Sequence, residues 1–550
     1  MTFVLLGDSQ TLTPERIVAA HDAGQVPAAL ESLQAALDDG YYAAGFFAYE
    51  LGYVLEPKLA GLLPEKRKIP LLWFALARGF GTPPLADAYT LGPVQTMAAD
   101  DYMPKCRAVL DAIHAGEIYQ ANLTMRARFP FTGDPLGLYQ ALRRRQPGPY
   151  GGMIFTPDFS ILSLSPELFI DIRGRDILTR PMKGTAPRGR DILDDAAQKT
   201  FLAGDEKQRA ENLMIVDLMR NDLSRIGTGI NVPRLFDIET HPTLHQMTSD
   251  VRATLKTDRL ADLLRALFPA GSITGAPKIR AMEIIAGLET EPRGAYCGAF
   301  GLLHRDASWL NVAIRTLTIQ NGVAEIGIGS GVVADSDPAA EYHECLLKMK
   351  FMDTSAPDFA LFETLLFDGQ GYTLMDEHMA RLRYSCAVLG FPAPGDIAFP
   401  TPDAPCVVRL QYQTDGSWTF SDRPIPESPT LTYAIAEQRL DPGDRLLYHK
   451  TTRRDLYDRP NPSGVNEMLY CNTRGELCEG ARTNIFVDDG SGVLLTPALA
   501  CGLLPGTLRA SLLAQGRARE AVLTPESLKS AAAVYLGNSV RGLVLGVPAC

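Results

Sequence analysis

The chain has 550 residues, of which 46% are hydrophobic and 21% are charged, a composition typical of soluble globular proteins. That length exceeds what one hydrophobic core accommodates, so it predicts two or three domains. The formal net charge of -11 excludes a basic surface for nucleic acid or anionic lipid. An anionic substrate must therefore be held by local cationic groups.

Cysteine content and hydropathy predict a cytoplasmic location. Nine cysteines, an odd number without a C-x-x-C pair, indicate reduced thiols rather than a disulfide framework. The N-terminus lacks the basic region of a signal peptide. The longest uncharged stretch, residues 491–508, is interrupted by prolines and glycines, so no membrane span is predicted.

Periodicity predicts a mixed α+β first domain, in which short strands alternate with amphipathic helices. The predicted helices are 206–220 and 261–268, and the predicted strands are 312–319 and 323–328.

Asp337 and Pro338 predict the start of a further helix, because Asp is a favoured N-cap and Pro a favoured first helical residue. On this helix Glu341, Glu344 and Lys348 share one face. That spacing alone is typical of a solvated helix with a Glu344–Lys348 ion pair.

Residues 354–358, Thr-Ser-Ala-Pro-Asp, predict a linker between a helix-like run and a strand-like run over 359–367. We therefore predict two domains, 1–353 and 358–550. The Pro-rich stretch 399–405 predicts a loop inside the second domain.

Lys183 lies in a Gly/Pro-rich turn that is followed by Arg188 and Arg190. Neighbouring positive charge disfavours a protonated ammonium, so a lysine in this setting can become a nucleophile. Taken alone, the pattern is more typical of a solvated surface lysine.

Six ordered segments around Lys183 resemble the chorismate-utilising enzymes, which include anthranilate synthase, isochorismate synthase and aminodeoxychorismate synthase component I. The segments are IYQANLT (118–124), SPELF (165–169), PMKGTAPRG (181–189), ENLMIVDLMRND (211–222), GSITGAPK (271–278) and GSGVVADSDP (329–338). The resemblance covers roughly residues 40–352 and implies that family's fold, helices around antiparallel sheets. A lysine at 183 resembles the aminodeoxychorismate branch, whereas anthranilate synthases carry alanine there.

The resemblance implies a Mg²⁺ ion held by Glu211 and Glu344 against a carboxylate of chorismate, with Glu341 as a supporting acid. Oxygen ligands of this kind suit Mg²⁺, which binds through one or two carboxylates together with water and substrate. The residues implied to bind substrate are Thr274, Gly275, Tyr296, Arg315, Gly329, Gly331 and Lys348.

Several of these residue types suit an anionic substrate. The Arg315 fork can bind a carboxylate through two hydrogen bonds, and glycines such as Gly329 let backbone N–H groups approach an anion. Ordinary turn chemistry or a solvent-facing arginine would explain the same residues.

The resemblance also implies a reaction in which ammonia replaces the C4 hydroxyl of chorismate. Lys183 would add at C2, Glu167 would protonate the departing hydroxyl as a general acid, and His245 would lie close to that hydroxyl. Without the family, Glu167 would be interpreted as a loop acid and His245 as a buried core histidine.

The sequence contains no nucleophile elbow of a glutamine amidotransferase. The resemblance therefore predicts that ammonia comes from a separate glutaminase subunit or from solution.

From about residue 358 the chain resembles fold-type IV pyridoxal-phosphate enzymes, specifically the 4-amino-4-deoxychorismate lyases. The matching segments are FETL (362–365), HMARL (378–382), HKTT (449–452), EGARTNIF (479–486), LTP (495–497) and GLLPGT (502–507). The resemblance implies a second α+β domain and the possibility of a homodimer formed through it.

In that family pattern Lys450 would bind the cofactor through its amine and act as acid and base. Glu479 would pair with the pyridine nitrogen. Arg381 and the backbone at Gly506 and Thr507 would hold the phosphate at a helix N-terminus, with Ser539 as a further element.

Together the resemblances predict a bifunctional enzyme of folate biosynthesis that converts chorismate and ammonia to p-aminobenzoate. One alternative is an anthranilate synthase-like domain fused to a class IV aminotransferase, which Lys183 disfavours. A second is a chorismate-binding protein with an inactive pyridoxal-phosphate domain, which Lys450, Glu479 and Arg381 disfavour.

Overall fold

The computed structural model describes residues 2–241, 244–352, 358–426 and 430–549, apart from the side chain of Ile192. Two compact units are present. One is Met1–Ala186 with Lys199–Thr354, and the other is Pro187–Gln198 with Ser355–Cys550. Residues 354–357 of the predicted linker, and the predicted domain ends at 1, 353 and 550, lie outside the described residues.

Both units mix helices and strands, which confirms the predicted α+β class. Up to residue 352 the helices are α1 (Val26–Asp38), α2 (Leu51–Leu55), α3 (Ala99–His114), α4 (Pro135–Arg145), α5 (Ile192–Gly204), α6 (Glu206–Ser224), α7 (Leu260–Leu267), α8 (Lys278–Leu288) and α9 (Pro338–Lys348). The strands are β1 (Phe3–Leu6), β2 (Gln10–Leu12), β3 (Arg16–Ala20), β4 (Tyr42–Phe47), β5 (Leu72–Ala77), β6 (Tyr89–Leu91), β7 (Gln95–Thr96), β8 (Gln120–Gly133), β9 (Gly152–Phe155), β10 (Ser160–Ser163), β11 (Leu168–Arg173), β12 (Asp176–Arg180), β13 (Met182–Pro187), β14 (Gly227–Thr240), β15 (Leu244–Leu255), β16 (Gly275–Ala276), β17 (Ala299–Leu303), β18 (Ala307–Val312), β19 (Thr316–Gln320) and β20 (Val323–Val332).

The strands of the first unit form two large sheets. The first runs in the order β16-β8-β20-β19-β10-β9-β1-β2, with β6 and β7 also paired to β8. The second runs β13-β15-β12-β11-β18-β17-β4-β5-β3, with β14 paired to β15.

The two sheets share a core, which the strand alternation produces. On β1, Val4 and Leu6 point into a cluster that also contains Phe46 of β4, while Leu5 points to the opposite face. Because successive side chains of a strand point to opposite faces, an unbroken apolar strand is buried on both sides. One face therefore packs against the other sheet and the other face against helices.

The helices begin where short polar residues cap them. Asp205 accepts a hydrogen bond from the Gln208 N–H at the start of α6. Asp337 accepts one from the Ala340 N–H, 2.9 Å away, at the start of α9, which confirms the predicted cap. These caps satisfy N–H groups that a helix start leaves free.

One predicted strand is wrong. The run 312–319 is divided, because β18 ends at Val312 and β19 begins at Thr316. Arg315 lies in the interruption with φ 48°, a left-handed conformation that is uncommon for residues other than glycine. Periodicity predicted one continuous strand. In the structure the Ser165 hydroxyl instead donates a hydrogen bond to the Val312 carbonyl at 2.5 Å, where β18 ends.

The second unit contains α10 (Met375–Leu389), α11 (Thr507–Ala514) and α12 (Pro525–Lys529) among its described residues. Its strands are β21 (Leu361–Phe367), β22 (Cys406–Tyr412), β23 (Trp418–Arg423), β24 (Thr430–Leu440), β25 (Glu467–Asn472), β26 (Leu477–Gly480), β27 (Asn484–Asp488), β28 (Leu494–Pro497), β29 (Ala518–Ala521), β30 (Ala533–Asn538) and β31 (Gly542–Pro548).

A three-stranded sheet, β21-β22-β23, and an eight-stranded sheet, β26-β25-β24-β31-β30-β27-β28-β29, organise this unit. The larger sheet is mixed, because β24 pairs parallel with β25 and β31. The predicted loop 399–405 contains neither helix nor strand. Across the described ranges, every helix is too short or too polar to cross a lipid bilayer.

Candidate active sites

Lys183 lies on β13, where two side-chain amides hold the backbone. Asn212 of α6 donates to the Lys183 carbonyl at 3.2 Å, and Gln246 of β15 donates to the Gly184 carbonyl at 2.7 Å. The lysine side chain crosses to β20, where a Cβ on Gly331 would lie only 2.7 Å from Lys183 Nζ. Only glycine leaves this much room for the amine.

Burial lowers the pKa of Lys183, and the positive charge of Lys348 lowers it further. Glu211, Glu167 and Glu344 oppose the shift, but the net direction is downward. Loss of hydration disfavours the charged form of an amine. The surroundings thus favour a neutral, nucleophilic amine at Lys183.

Glu167 precedes β11 and is 3% exposed. Burial raises the pKa of its carboxyl to about 7, against the opposing effects of the Ser272 hydrogen bond and the Lys183 charge. The Ser272 hydroxyl donates to Glu167 Oε1 at 2.6 Å. A carboxylic acid that keeps its proton near neutral pH can act as a general acid.

Three carboxylates lie on the helices beside Lys183. Burial raises the pKa of Glu211 on α6, and the charges of Glu341 and Glu344 on α9 contribute in the same direction. Glu341 accepts a hydrogen bond from the Ser336 hydroxyl at 2.7 Å.

Whether these residues fit Mg²⁺ depends on the substrate. No three His, Cys, Asp or Glu side chains converge as a metal site within the described part of the chain. Glu211 and Glu344 alone fit the sparse protein ligation that Mg²⁺ accepts when water and substrate supply the other oxygens. They do not form a complete metal site of their own.

Lys348 connects α9 to β20. Its ammonium lies 2.6 Å from Glu344 Oε1 and donates to the Gly329 carbonyl at 2.9 Å. The ion pair predicted from the helix spacing is therefore present, although both side chains are about half exposed, at 43% and 50%. Burial alone would raise the pKa of Glu344, but the charge and hydrogen bond of Lys348 together with the charge of Lys183 lower it, and the net direction is downward.

Arg315 and Tyr296 occupy different environments. Burial lowers the pKa of Arg315 to about 10, and its guanidinium donates to the Gln146 side-chain oxygen. Tyr296 is 7% exposed, and its ring covers Gly327, where a Cβ would lie 2.0 Å from the ring. The structure therefore places Tyr296 in the core packing against β20.

Thr274 and Gly275 lie where β16 meets β8. Thr274 is fully buried, and its hydroxyl donates to the Ala270 carbonyl at 3.1 Å. Gly275 has φ 153°, and a Cβ there would lie 2.2 Å from the Gln120 carbonyl. The close approach of these two strands requires glycine at this position.

His245 is fully buried on β15, and its Nδ1 lies 3.1 Å from the Thr240 hydroxyl on β14. Residues 242 and 243, shortly before His245, lie outside the described residues. Its predicted role beside the departing hydroxyl stays a prediction.

Gln120 lies in the segment 118–124, and no role was predicted for it. It is 1% exposed, and neither its amide oxygen nor its amide nitrogen has a hydrogen-bond partner among the described residues. The amide nitrogen would lie 3.1 Å from a Cβ on Gly331, beside Lys183 Nζ. A buried amide without partners is costly, so this position fits contact with a bound polar molecule.

Lys450 is the centre of the second site. Burial lowers the pKa of its amine to about 7, and Arg381 and Arg454 lower it as well. Its Nζ lies 4.8 Å from the centre of the Phe362 ring, and its carbonyl accepts from the Phe362 N–H at 3.0 Å. This lysine can thus present a neutral amine near physiological pH.

Glu479 is the penultimate residue of β26 and is 6% exposed. Burial raises the pKa of its carboxyl to about 7. The Tyr457 hydroxyl donates to Glu479 Oε1 at 2.8 Å and the Leu504 N–H donates to Oε2 at 3.0 Å. Tyr457, which the sequence analysis did not single out, therefore fixes one carboxyl oxygen.

The residues predicted to hold phosphate come together. Gly506 caps α11, which begins at Thr507, and a Cβ on Gly506 would lie 1.9 Å from the Asn484 amide oxygen. Thr507 and Ser539 both contact the ring of His378, and Arg381 donates to the Pro505 carbonyl at 3.0 Å.

Glu363 and His378 join this group, although neither was assigned from the sequence. Glu363 contacts both Arg381 and His378. The donor set of hydroxyls, guanidinium and helix N-terminus fits a phosphate group, and Lys450 with Glu479 fits the remaining parts of pyridoxal phosphate.

Comparison with known proteins matches the two parts of the chain to two different families. Residues 82–354 match the chorismate binding enzyme family, and residues 406–546 match amino-transferase class IV. Aminodeoxychorismate synthase component 1 of Klebsiella aerogenes is 45% identical over 277 residues, which are 49% of this chain and 61% of that protein. The Escherichia coli protein of the same name is 44% identical over 260 residues, which are 46% and 57%.

The chain thus spans about three fifths of the length of these curated relatives. Among solved structures, anthranilate synthase component I from Streptococcus pneumoniae aligns with a TM-score of 0.55 at 25% identity. That alignment covers 64% of this chain and 92% of the other.

Proposed function

Because the chain joins a chorismate binding enzyme domain to a class IV amino-transferase domain, we propose that it makes p-aminobenzoate in two steps. The first domain replaces the C4 hydroxyl of chorismate with an amino group derived from ammonia. The second domain eliminates pyruvate from the resulting 4-amino-4-deoxychorismate. The product of the first reaction is the substrate of the second, which accounts for the fusion.

The observation that carries the proposal is a pair of groups whose pKa values are shifted in opposite directions. Burial lowers the pKa of the Lys183 amine and raises that of the Glu167 carboxyl to about 7. Shifts in these directions favour a neutral amine as the nucleophile and a protonated carboxyl as the proton donor. Ordinary surface residues would show neither shift.

In the first reaction Lys183 Nζ bonds to C2 of chorismate, the ring double bonds shift, and the C4–O bond breaks. Glu167 gives its proton to the departing oxygen, which leaves as water. Ammonia then bonds to C4, the electron shift reverses, and the C2–N bond to Lys183 breaks. Ammonia loses one proton, so the net change is chorismate plus ammonia to 4-amino-4-deoxychorismate plus water.

Glu211 and Glu344 would hold Mg²⁺ together with a substrate carboxylate, and the ion would supply positive charge to bind and orient that carboxylate. Arg315 would bind the other carboxylate. The hydrogen bond from Lys348 to the Gly329 carbonyl would fix the position of α9 relative to β20 beside the substrate.

In the second reaction Lys450 would move the proton at the substrate carbon that carries nitrogen. Bound pyridoxal phosphate supplies an electron-withdrawing ring that stabilises negative charge at that carbon. Glu479, held by Tyr457 and the Leu504 N–H, would accept the N–H of the pyridine ring. Arg381, Thr507 and Ser539 would bind the phosphate.

We propose that ammonia is delivered by a separate glutaminase subunit, since the two bacterial relatives are each named as component 1 of their synthase. Free ammonium salt should replace that subunit in vitro.

The decisive experiment is to incubate the purified full chain with chorismate, Mg²⁺, pyridoxal phosphate and ammonium salt, and to identify the aromatic product by chromatography and mass. We expect p-aminobenzoate and pyruvate in equal amounts. Omission of ammonium is the control and should prevent both. Anthranilate as the product would contradict the proposal for the first domain, and accumulation of 4-amino-4-deoxychorismate alone would contradict that for the second.

A further inference from the structure

We propose that His378 is a positioning residue of the phosphate site. In the cofactor-free protein its Nε2 accepts a hydrogen bond from the Ser539 or the Thr507 hydroxyl, and it takes up a proton when a phosphate dianion binds. The inference rests on the proposed function, because it concerns the cofactor site of the second domain. It assigns to His378 a role that acts through the two hydroxyl groups beside its ring.

Glu363 fixes the tautomer of His378. Its carboxylate accepts hydrogen bonds from Arg381 Nε at 2.9 Å, from Arg381 Nη2 at 2.6 Å and from His378 Nδ1 at 2.7 Å. Although burial alone would raise the pKa of Glu363, these contacts bring it to about 2. An ionised carboxylate only accepts hydrogen bonds, so His378 Nδ1 must carry a proton.

The other ring nitrogen is consequently an acceptor while His378 is neutral. His378 Nε2 lies 3.1 Å from the Ser539 hydroxyl oxygen and 3.3 Å from that of Thr507. Each hydroxyl has one proton to donate. A hydroxyl that donates to Nε2 therefore cannot donate to a phosphate oxygen at the same time.

Protonation of Nε2 reverses this arrangement. The imidazolium donates to a hydroxyl oxygen, and both hydroxyl protons become available to the phosphate. A phosphate dianion offers only acceptors, so it favours the protonated form of His378. The proton comes from solvent and forms the Nε2–H bond, and no bond between heavier atoms forms or breaks.

The charge balance of the site points in the same direction. Glu363 already compensates Arg381, whose Nη1 also donates to the Pro505 carbonyl. That leaves two of the five N–H groups of the guanidinium for a phosphate. The charged groups that face His378 are Glu363, Arg381 and Lys450, and their sum is far short of the two positive charges that would balance a dianion.

Burial, together with the charges of Arg381 and Lys450, lowers the pKa of the His378 ring, and the Glu363 contacts oppose that shift without reversing it. The neutral ring is therefore favoured in the cofactor-free protein. A bound dianion raises that pKa. By linkage, the affinity for a phosphate dianion should be highest below the pKa of His378 in the cofactor-free protein. It should fall as pH rises toward the higher pKa that His378 has when the dianion is bound.

The test is isothermal titration of the cofactor-free full chain with pyridoxamine 5′-phosphate at about pH 7.5, in two buffers of unequal ionisation enthalpy. The matched variant is His378→Gln, because glutamine supplies an N–H for Glu363 and an oxygen for the hydroxyls but cannot take up a proton. Protonation of the ligand ring or of Lys450 is common to both proteins.

We expect the wild type to take up more protons than His378→Gln, by a difference that approaches about one proton per site. The difference should persist when both proteins also carry Lys450→Ala. Equal uptake by the two proteins would overturn the inference, as would a difference that disappears with Lys450→Ala. Absence of any binding would contradict the proposed cofactor site and the inference with it.

A second measurement covers a variant that fails to fold. The wild type, labelled with ¹⁵N in its eight histidines, is observed by NMR with and without the ligand. We expect one ring to change from the neutral tautomer protonated at Nδ1 to the imidazolium form. If no histidine does so, the inference is wrong.

Discussion

The same physical cause, burial, lowers the pKa of two lysines, Lys183 and Lys450, and so favours their neutral amines. Each is flanked by carboxylates that would raise its pKa, yet loss of hydration prevails and lowers it. Nearby cations contribute in the same direction, Lys348 for the first and Arg381 for the second. A lysine in ordinary surface surroundings would stay charged at neutral pH.

Replacement of Lys183 tests the nucleophile directly. Lys183→Ala should lower the rate of chorismate amination by several orders of magnitude, because the bond to C2 can no longer form. The rate is measured as 4-amino-4-deoxychorismate formed from chorismate and ammonium. Lys58→Ala, which removes an exposed lysine, is the matched control and should retain the wild-type rate. Unchanged amination by the Lys183 variant would contradict the role.

The pKa of Glu167 predicts the pH dependence of the same reaction. The proton donor must be protonated, and its pKa is raised to about 7, so the amination rate should fall as pH rises above that value. The rate is measured at constant free ammonia, since ammonia itself titrates. Glu167→Gln keeps a partner for the Ser272 hydroxyl but cannot give up a proton, and should lower the rate by about 10²–10⁴-fold. A variant that keeps the wild-type pH profile would exclude Glu167 as the acid.

For individual residues, the sequence predicted those that lie within recognisable segments but not the residues that form hydrogen bonds with them. Lys183, Glu167 and Lys450 could be named from local patterns. Ser272 lies 105 residues from Glu167 along the chain, and Tyr457 lies 22 residues from Glu479. Nothing in either local pattern indicates those contacts, because the fold alone brings them together.

The Lys183 side chain lies beside strand β20 and near charged residues of helix α9. Gly331 leaves the space that the amine occupies, since a Cβ would lie 2.7 Å from Nζ. Lys348 links the same strand to the helix that carries Glu341 and Glu344. The position of the Lys183 amine therefore depends on an element to which Lys183 does not belong.

Gly331→Ala should displace the Lys183 amine without unfolding the protein, because the methyl group meets the mobile end of a side chain rather than backbone. A shift of about 1 Å is expected to lower amination by up to about 10²-fold. Gly79→Ala, where the added methyl meets nothing within 4 Å, is the control. Thermal unfolding checks that both variants fold, and full activity of Gly331→Ala would contradict the close contact.

The carboxylates on α6 and α9 predict a shared dependence on Mg²⁺. Glu211→Gln and Glu344→Gln should each raise the Mg²⁺ concentration needed for half-maximal amination, since each removes one negative charge from the ion's surroundings. Glu206→Gln, an exposed acid in the first turn of α6, should leave that concentration unchanged. Titration with MgCl₂ at fixed chorismate measures it. A wild-type titration curve in both variants would show that these acids do not hold the ion.

Local capping chemistry made some elements predictable, and long-range contacts made others unpredictable. Asp337 followed by Pro338 predicted the start of α9, where the cap is observed. The run 312–319 predicted one strand, but contacts from Ser165 and the left-handed Arg315 divide it. That division places Arg315 at a strand end, which a propensity-based prediction could not foresee.

At the scale of the whole molecule, composition predicted more than one domain but not how the chain contributes to each unit. Pro187–Gln198 groups with the second unit although it follows β13 in the sequence. Within this segment Asp195 accepts hydrogen bonds from Arg188 Nε and the Gly189 N–H, both at 2.8 Å. The sequence division at 353 and 358 followed the linker pattern and the extent of the two resemblances, and it does not assign this segment to the second unit.

The presence of two independent sites on one chain predicts that variants of each can complement each other. Lys450→Ala should still aminate chorismate and accumulate 4-amino-4-deoxychorismate, because only the second reaction needs an amine at that position. Lys183→Ala should do the reverse, and consume supplied 4-amino-4-deoxychorismate while leaving chorismate untouched. A mixture of the two proteins should therefore restore p-aminobenzoate, with a lag that shortens as the total protein concentration rises, since the intermediate must pass through solution.

The product is followed by fluorescence after chromatography, and each variant alone is the control. If either variant alone forms p-aminobenzoate from chorismate at the wild-type rate, the corresponding lysine does not carry its reaction. If the mixture forms none while both halves are active separately, the two reactions are not consecutive.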